Sequence, residues 1–264
     1  MTVAGISYVA VRLGVFGAVL AAMMVAEAAR PRRRLRLARQ LRWPSNIAMT
    51  VLSSVLTPFA VPVAAVGMAV IAQASGWGLF NQAALPAWVE LALAVLLLDL
   101  AIYAQHRLFH AVPWLWRFHR MHHSDPDFDV TTALRFHPVE IWLSALIKLA
   151  AVAVIGASPL AVLIFEVVLN ATAMFNHSNT ALPPALDRVL RWVLVTPDMH
   201  RVHHSIVARE TNSNFGFNLP WWDRVFSTYR AQPEAGHADM TIGLGTFDAA
   251  RDQRLDRLLI QPVR

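Results

Sequence analysis

Apolar residues along this chain gather into runs too long for an ordinary core helix. Ile6–Ala29 is one run, Ile47–Ala74 a second, and a third opens at Pro86 and extends to about His110. About 20 apolar residues cross a hydrocarbon core as helix, so all three read as membrane helices. Proline suits a first helical turn, which places the start of the third at Pro86. Pro58 and Pro62 are expected to kink the second, a distortion that membrane helices tolerate. Val139–Ile155 and Leu160–Phe175 are shorter runs split by Gly156-Ala157-Ser158-Pro159. They fit either two further spans or one re-entrant hairpin. Near the C-terminus, Leu255, Leu258 and Leu259 alternate with Asp256 and Arg257, the pattern of a short amphipathic helix capping a polar region. The expected fold is all-α: a polytopic membrane bundle of four to five membrane helices, with a helical cap on one side. Residues 1–264 are expected to form a single domain, because the apolar runs and the polar segments interleave. Within it, 1–90 holds the N-terminal spans, 95–230 the histidine-rich region and 231–264 a polar tail.

Composition supports this reading. Of 264 residues, 56% are hydrophobic and only 15% charged, where a soluble domain carries about 25% charged. The absence of cysteine excludes disulfides, a thiolate nucleophile, iron–sulfur ligation and Cys-type zinc sites. The formal charge is +6, almost all of the cation being arginine. Its densest run, from Arg30 to Arg42, abuts a span instead of spreading through a polar domain. That suits anionic lipid headgroups and argues against a nucleic-acid partner. Ile6–Ala29 reads as a retained signal-anchor span. Positive loops stay cytoplasmic, which puts the N-terminus outside, together with the uncharged connections Ser75–Leu85 and Gly156–Pro159. Every histidine then falls on the cytoplasmic side. The tryptophans near helix ends (Trp114, Trp116, Trp142, Trp192, Trp221 and Trp222) fit an interfacial belt.

The candidate chemistry lies in the histidines. Eleven are present, and eight form three clusters: His106 and His110; His119, His122 and His123; His200, His203 and His204. Residues three or four apart share a helix face, so each cluster can aim two rings at one metal. Adjacent histidines diverge by about 100° around a helix, so each His-His doublet can serve two neighbouring metals. This arrangement suits a dinuclear centre. Imidazole binds Fe, Zn, Cu and Ni, and the Glu-x-x-His pattern of soluble di-iron bundles is missing. His177, at the end of the last apolar run, is a ninth candidate ligand. Asn170 and Glu166 precede it on the same helix face and form a polar stripe read as directed at the site. Asp99, seven residues before His106, is a candidate acceptor for a ligand's outer N–H, its alternative being an ion pair with Lys148. His137 is a candidate ligand, supporting residue or helix-entry residue. Asp198, Asp125, Asp127 and Asp223 are further carboxylates near the clusters. His237 stands alone in the polar tail and is not expected to bind metal.

The order His-x-x-x-His, His-x-x-His-His, His-x-x-His-His resembles the fatty acid hydroxylase / sterol desaturase superfamily. Trp116-Arg-Phe-His-Arg-Met-His-His-Ser124, Thr196-Pro-Asp-Met-His-Arg-Val-His-His-Ser205 and Asn214–Tyr229 are similar to its second box, its third box and the segment that follows. In that last segment the family usually has glycine where this chain has Ser227. The resemblance implies iron ligands at His106, His110, His119, His122, His123, His200, His203 and His204, and His177 matches a histidine found in many members. It implies two Fe ions, O2 as co-substrate, a membrane lipid as substrate and a place in a bacterial inner membrane. The chain shows no His-Pro-Gly-Gly haem motif, so the electrons are expected from a separate partner, a ferredoxin or a cytochrome b5-like protein. The implied activity is hydroxylation or desaturation of an unactivated C–H position in a sterol, hopanoid, fatty-acyl or ether lipid. The residues by themselves also fit a membrane metal-binding or transport protein without oxygen chemistry, or a zinc-dependent lipid hydrolase.

Overall fold

The computed structural model describes Thr2–Val3 and residues 6–264. A two-residue antiparallel pair, Thr2–Val3 with Ile6–Ser7, precedes an otherwise helical fold. Five stretches are long and apolar enough to cross a membrane. They are α1 (Tyr8–Ala29), α2 with α3 (Arg39–Ala60 and Ala65–Ser75), α4 (Ala87–Ala111), α6 (Pro138–Ile155) and α7 (Pro159–Asn176). Between α4 and α6 lies α5 (Pro113–His123), and beyond α7 come α8 (Pro184–Leu190), α9 (Pro197–His203) and shorter helical turns.

The second span is broken where a kink was expected. Pro58 sits inside α2, the helix ends at Ala60, and α3 resumes at Ala65. Pro62 in the gap has no N–H to donate, so the two prolines together end the hydrogen-bond ladder. Helices α6 and α7 do not form a self-packed hairpin. Helix α6 packs on α2, α3 and α4, whereas α7 packs on α1, α3 and α4. Each has 18 residues, a length of about 27 Å at 1.5 Å per residue. The apolar core reflects this wedge, with Ala69, Ala94, Leu98, Val152, Ala161, Val162 and Phe165 buried together. Alanine dominates the crossings because small side chains let helix backbones approach closely.

The bundle has two distinct ends. At one, the turn after α3 meets the turn between α6 and α7: Leu79 N–H donates to Val154 O (3.0 Å) and Phe80 N–H to Ile155 O (2.9 Å). Gly78 (φ +88°) requires glycine, since a Cβ there would lie 2.3 Å from Gly156 N. At the other end lie the C-termini of α1, α4 and α7 and the N-termini of α2 and α6. The arginine loop is tied there: Arg32 N–H donates to Asn179 O (2.7 Å) and Ala181 N–H to Arg30 O (2.8 Å). Glu27, buried at the end of α1, accepts from Val130 N (2.6 Å) and Asn179 N (2.7 Å). The C-terminal amphipathic helix, Leu255–Ile260, caps this end with Leu258 packed on Met49 and Met121.

Candidate metal centre

Four elements deliver the histidines to the end that carries the arginine loop. Helix α4 presents His106 and His110 one turn apart near its C-terminus. The chain reverses at Val112-Pro113 into α5, which carries His119, His122 and His123. His177 is the residue that ends α7. Helix α9, capped by the Thr196 side chain on Met199 N–H, carries His200 and His203, and His204 follows it. The structure brings all nine together in two groups, with ligand nitrogens within 4.8 Å of one another in each. One group is His106, His110, His119, His123 and His203; the other is His122, His177, His200 and His204. Both adjacent doublets, His122-His123 and His203-His204, divide between the groups. All nine are buried except His110, which is partly exposed.

Hydrogen bonds on the outer nitrogens fix what the inner ones offer. His106 Nδ1 lies 2.8 Å from Phe215 O, His203 Nδ1 2.7 Å from Ser213 O and His177 Nδ1 2.8 Å from Ala173 O. A carbonyl oxygen only accepts, so each of these Nδ1 atoms carries the proton, and in a neutral ring Nε2 is then a bare lone pair. His119 Nδ1 donates to Glu140 Oε1 at 2.6 Å, with the same consequence. Yet the Nε2 atoms face one another: His106 to His119 at 3.1 Å and His106 to His203 at 3.0 Å. His177 Nε2 lies 3.1 Å from both His122 Nε2 and His200 Nε2. Within the first group two lone pairs meet with no hydrogen between them. Nor is a second ring proton favourable. Burial first, then the neighbouring imidazoles, push His122, His123, His200, His203 and His204 well below the ordinary histidine value. Burial first, with a smaller contribution from His119, brings His177 down to about 3 against the help of the Ala173 carbonyl. The Nε2 atoms of His110, His123 and His204 are buried without any partner. Convergent, unprotonated imidazoles of this kind are a donor set for a borderline transition metal such as iron.

Aromatic rings wall the two groups. Phe136 stacks on His122 (4.3 Å between centroids), Phe128 packs on His177 and His204, and Phe215 on His106, His110 and His203. Trp116 covers partly exposed His110 at 4.8 Å. The Ser213–Phe217 backbone, which supplies two of the carbonyl acceptors, is itself held in place. Asp223 accepts from Phe215 N–H and Gly216 N–H, both at 2.8 Å. Beneath α5 lies a buried charge cluster. Arg42 pairs with Asp125 (2.8 Å) and with Asp129, and its Nε lies 3.5 Å from Asp127. Arg135 donates to Met121 O (2.9 Å) and Ser124 Oγ (2.8 Å). Burial works against the charge of Asp125, but Arg42 and Arg135 outweigh it and hold the carboxyl below its usual range.

Several supporting residues expected from the sequence lie elsewhere. Among the described residues, Asp99 forms no hydrogen bond or ion pair with a histidine or lysine: it accepts from Trp222 Nε1 (2.9 Å) and Leu219 N–H (3.3 Å), anchoring the segment after Phe215. Glu166 faces Lys148 (2.9 Å) and Arg12 (3.1 Å), and the Asn170 side chain donates to Glu166 O, so the polar stripe stays within the bundle. His137 takes the helix-entry role, its Nδ1 accepting from Val139 N–H at the start of α6. Asp198 pairs with Arg32 (3.1 Å) and Arg201, and buried His237 lies beside it at 3.5 Å. The residue that sequence reasoning missed is Glu140. The signal available was its place in the first turn of α6, next to His137-Pro138.

A family model for fatty acid hydroxylases matches residues 91–228, just over half of the 264 residues, and this stretch contains all nine clustered histidines. The chain belongs to the fatty acid hydroxylase family. Among curated relatives of this family, ornithine lipid hydroxylase OlsE of Rhizobium tropici is 30% identical over 158 residues, 60% of this chain and 46% of that protein. Human alkylglycerol monooxygenase is 31% identical over 169 residues, 61% of this chain and 35% of that protein. Rat cholesterol 25-hydroxylase is 31% identical over 148 residues, 54% of this chain and 47% of that protein. The chain thus spans between about a third and a half of the length of these relatives. No solved structure matches it significantly.

Proposed function

We propose that this chain is an O2-dependent, two-iron membrane oxygenase that hydroxylates or desaturates an unactivated C–H position of a lipid. The observation that carries the reading is the convergence of bare imidazole nitrogens into two adjacent groups. In this reading His106, His110, His119, His123 and His203 hold one iron, and His122, His177, His200 and His204 hold the other. Bound iron would supply activation of O2 and removal of hydrogen from the substrate carbon. Hydroxylation consumes one O2, two electrons and two protons per alcohol formed and releases one water, so a reductant is required. A separate ferredoxin or cytochrome b5-like partner is the class that fits.

The protein's own contribution is positional. Carbonyls of Ala173, Ser213 and Phe215, and the Glu140 carboxylate, keep protons on the outer nitrogens and orient the rings. The phenylalanine walls keep water away from the reacting carbon. Lipid is the substrate class because the matched relatives are named for ornithine lipid, alkylglycerol and cholesterol, and because the rings sit at one end of an apolar bundle. An open groove of about 380 Å³ runs along α4, lined by Leu100, Tyr103, Ala104, Leu108 and Phe226. The Tyr103 ring touches Phe215, which packs on His106, so two aromatic rings, Tyr103 and Phe215, lie between the groove and the histidines. This groove is the proposed seat of the acyl or ring system. The arginine loop pairs with the backbone just beyond His177, which supports a cytoplasmic site in a bacterial inner membrane under the positive-inside rule.

Two measurements test the reading. Anaerobically purified protein should contain two iron ions per chain, and cells carrying it should show one lipid class that has gained an oxygen atom or lost two hydrogens. Zinc in place of iron, together with an unchanged lipid profile, would reject it.

A further inference from the structure

The two histidine groups are not built alike. In the five-membered group three outer nitrogens are engaged: His106 with Phe215 O, His203 with Ser213 O, and His119 with Glu140. In the four-membered group only His177 is engaged, with Ala173 O. The outer Nδ1 atoms of His122 and His200 and both nitrogens of His204 are buried without a partner. Three rings of the second group therefore have no hydrogen bond on the side away from the group that would hold the ring in place once the inner nitrogens bind metal.

Among the described residues, Glu140 is the one carboxylate hydrogen-bonded to any of the nine rings. It stands in the first turn of α6, after the His137 cap and Pro138, where a helix N-terminus favours negative charge. Its second oxygen, Oε2, is buried without a partner, so its only hydrogen bond goes to His119. A carboxylate on the outer nitrogen makes an imidazole a better electron donor to metal and holds the ring in one orientation.

We propose that the position framed by His106, His110, His119, His123 and His203 binds its metal more tightly than the position framed by His122, His177, His200 and His204, with Glu140 setting much of the difference through His119. Glu140 is thus a positioning residue, and the four-histidine position is the exchangeable one. The inference rests on the two-metal reading above and deepens it.

Chelator titration of protein loaded anaerobically with Fe(II) tests it, with metal per chain as the readout. Wild type should release its ions in two separate steps. Glu140→Ala should move the tighter step to about 10–100-fold lower chelator, the usual loss when such a partner is removed, and leave the weaker step in place. Glu140→Gln keeps the shape and an acceptor oxygen and should fall between. It also keeps the test open if the alanine variant does not fold, as judged by helical circular dichroism. His204→Ala should abolish the weaker step and retain the tighter. Release of both wild-type ions in one step would overturn the inference, as would Glu140 variants that shift neither step, only the weaker one, or both by the same factor. A wild-type chain that takes up no metal would instead sink the two-metal reading itself.

Discussion

Ser227 adopts a left-handed backbone conformation, with φ of +57°. A side chain in that region costs about 1–2 kcal/mol, which gives a physical reason for the glycine that related sequences usually carry there. Ser227→Gly should raise the thermal midpoint by an amount worth about 1 kcal/mol and leave metal content unchanged; a lowered midpoint would contradict this. Gly216 presents the opposite case. A Cβ there would lie 2.8 Å from Leu219 O and 2.9 Å from Asp223 Oδ2. Asp223 holds the Phe215 and Gly216 amides, and Phe215 O holds His106. Gly216→Ala should therefore cost about 1–3 kcal/mol and lower metal occupancy, both measurable on purified protein. At this scale the sequence marked eight of the nine histidines, because helical spacing puts such rings on common faces, and His177 by its place at the end of the last apolar run. It did not reveal Glu140, whose partner His119 lies on another helix and 21 positions away. It misplaced Asp99 for the same reason: periodicity tells which face a residue is on, but not what packs against that face.

Helix α2 is tied by buried charge to the segment that follows α5. Arg42 faces Asp125, Asp127 and Asp129, and all four side chains are buried. Removing one partner of such a cluster strands the others and costs about 3–5 kcal/mol. Arg42→Ala should accordingly lower the melting temperature in detergent sharply and release metal, because the Asp125–Asp129 segment follows directly on His122-His123. A melting temperature within a degree or two of wild type would reject this role. The groove along α4 makes a separate prediction. Ala104→Trp should fill it and suppress lipid turnover while metal content stays at the wild-type level; unchanged turnover would remove the groove as the lipid seat. Of the helices themselves, α1 and α4 were legible from apolar run length, whereas α2 begins at Arg39, well before the apolar run that opens at Ile47. The break at residues 61–64 and the separation of α6 from α7 were not legible. The first depends on how two prolines combine, and the second on α3 and α4 wedging between helices that are adjacent only in sequence.

Across the whole molecule the cap is a store of neutral imidazole. Burial depresses His177 to about 3 and His237 to about 4, and His122, His123, His200, His203 and His204 fall well below their ordinary value. An unfolded chain takes up these protons near pH 6.5, whereas the folded one does not until the pH is lower. Stability from these groups is thus complete above about 6.5 and is lost as pH falls through the folded values. The thermal midpoint of metal-free protein should decline steadily from about pH 7 to pH 4, and a flat profile would contradict the burial argument. The division of His122 from His123, and of His203 from His204, has a mechanical consequence. Neighbouring residues on one backbone are 3.8 Å apart at Cα, a spacing set by covalent bonds. A bilayer that thickens or thins tilts the spans, yet it cannot pull one ring group away from the other without stretching a peptide unit. The gap between the two centres should therefore be indifferent to the membrane in which the protein is placed.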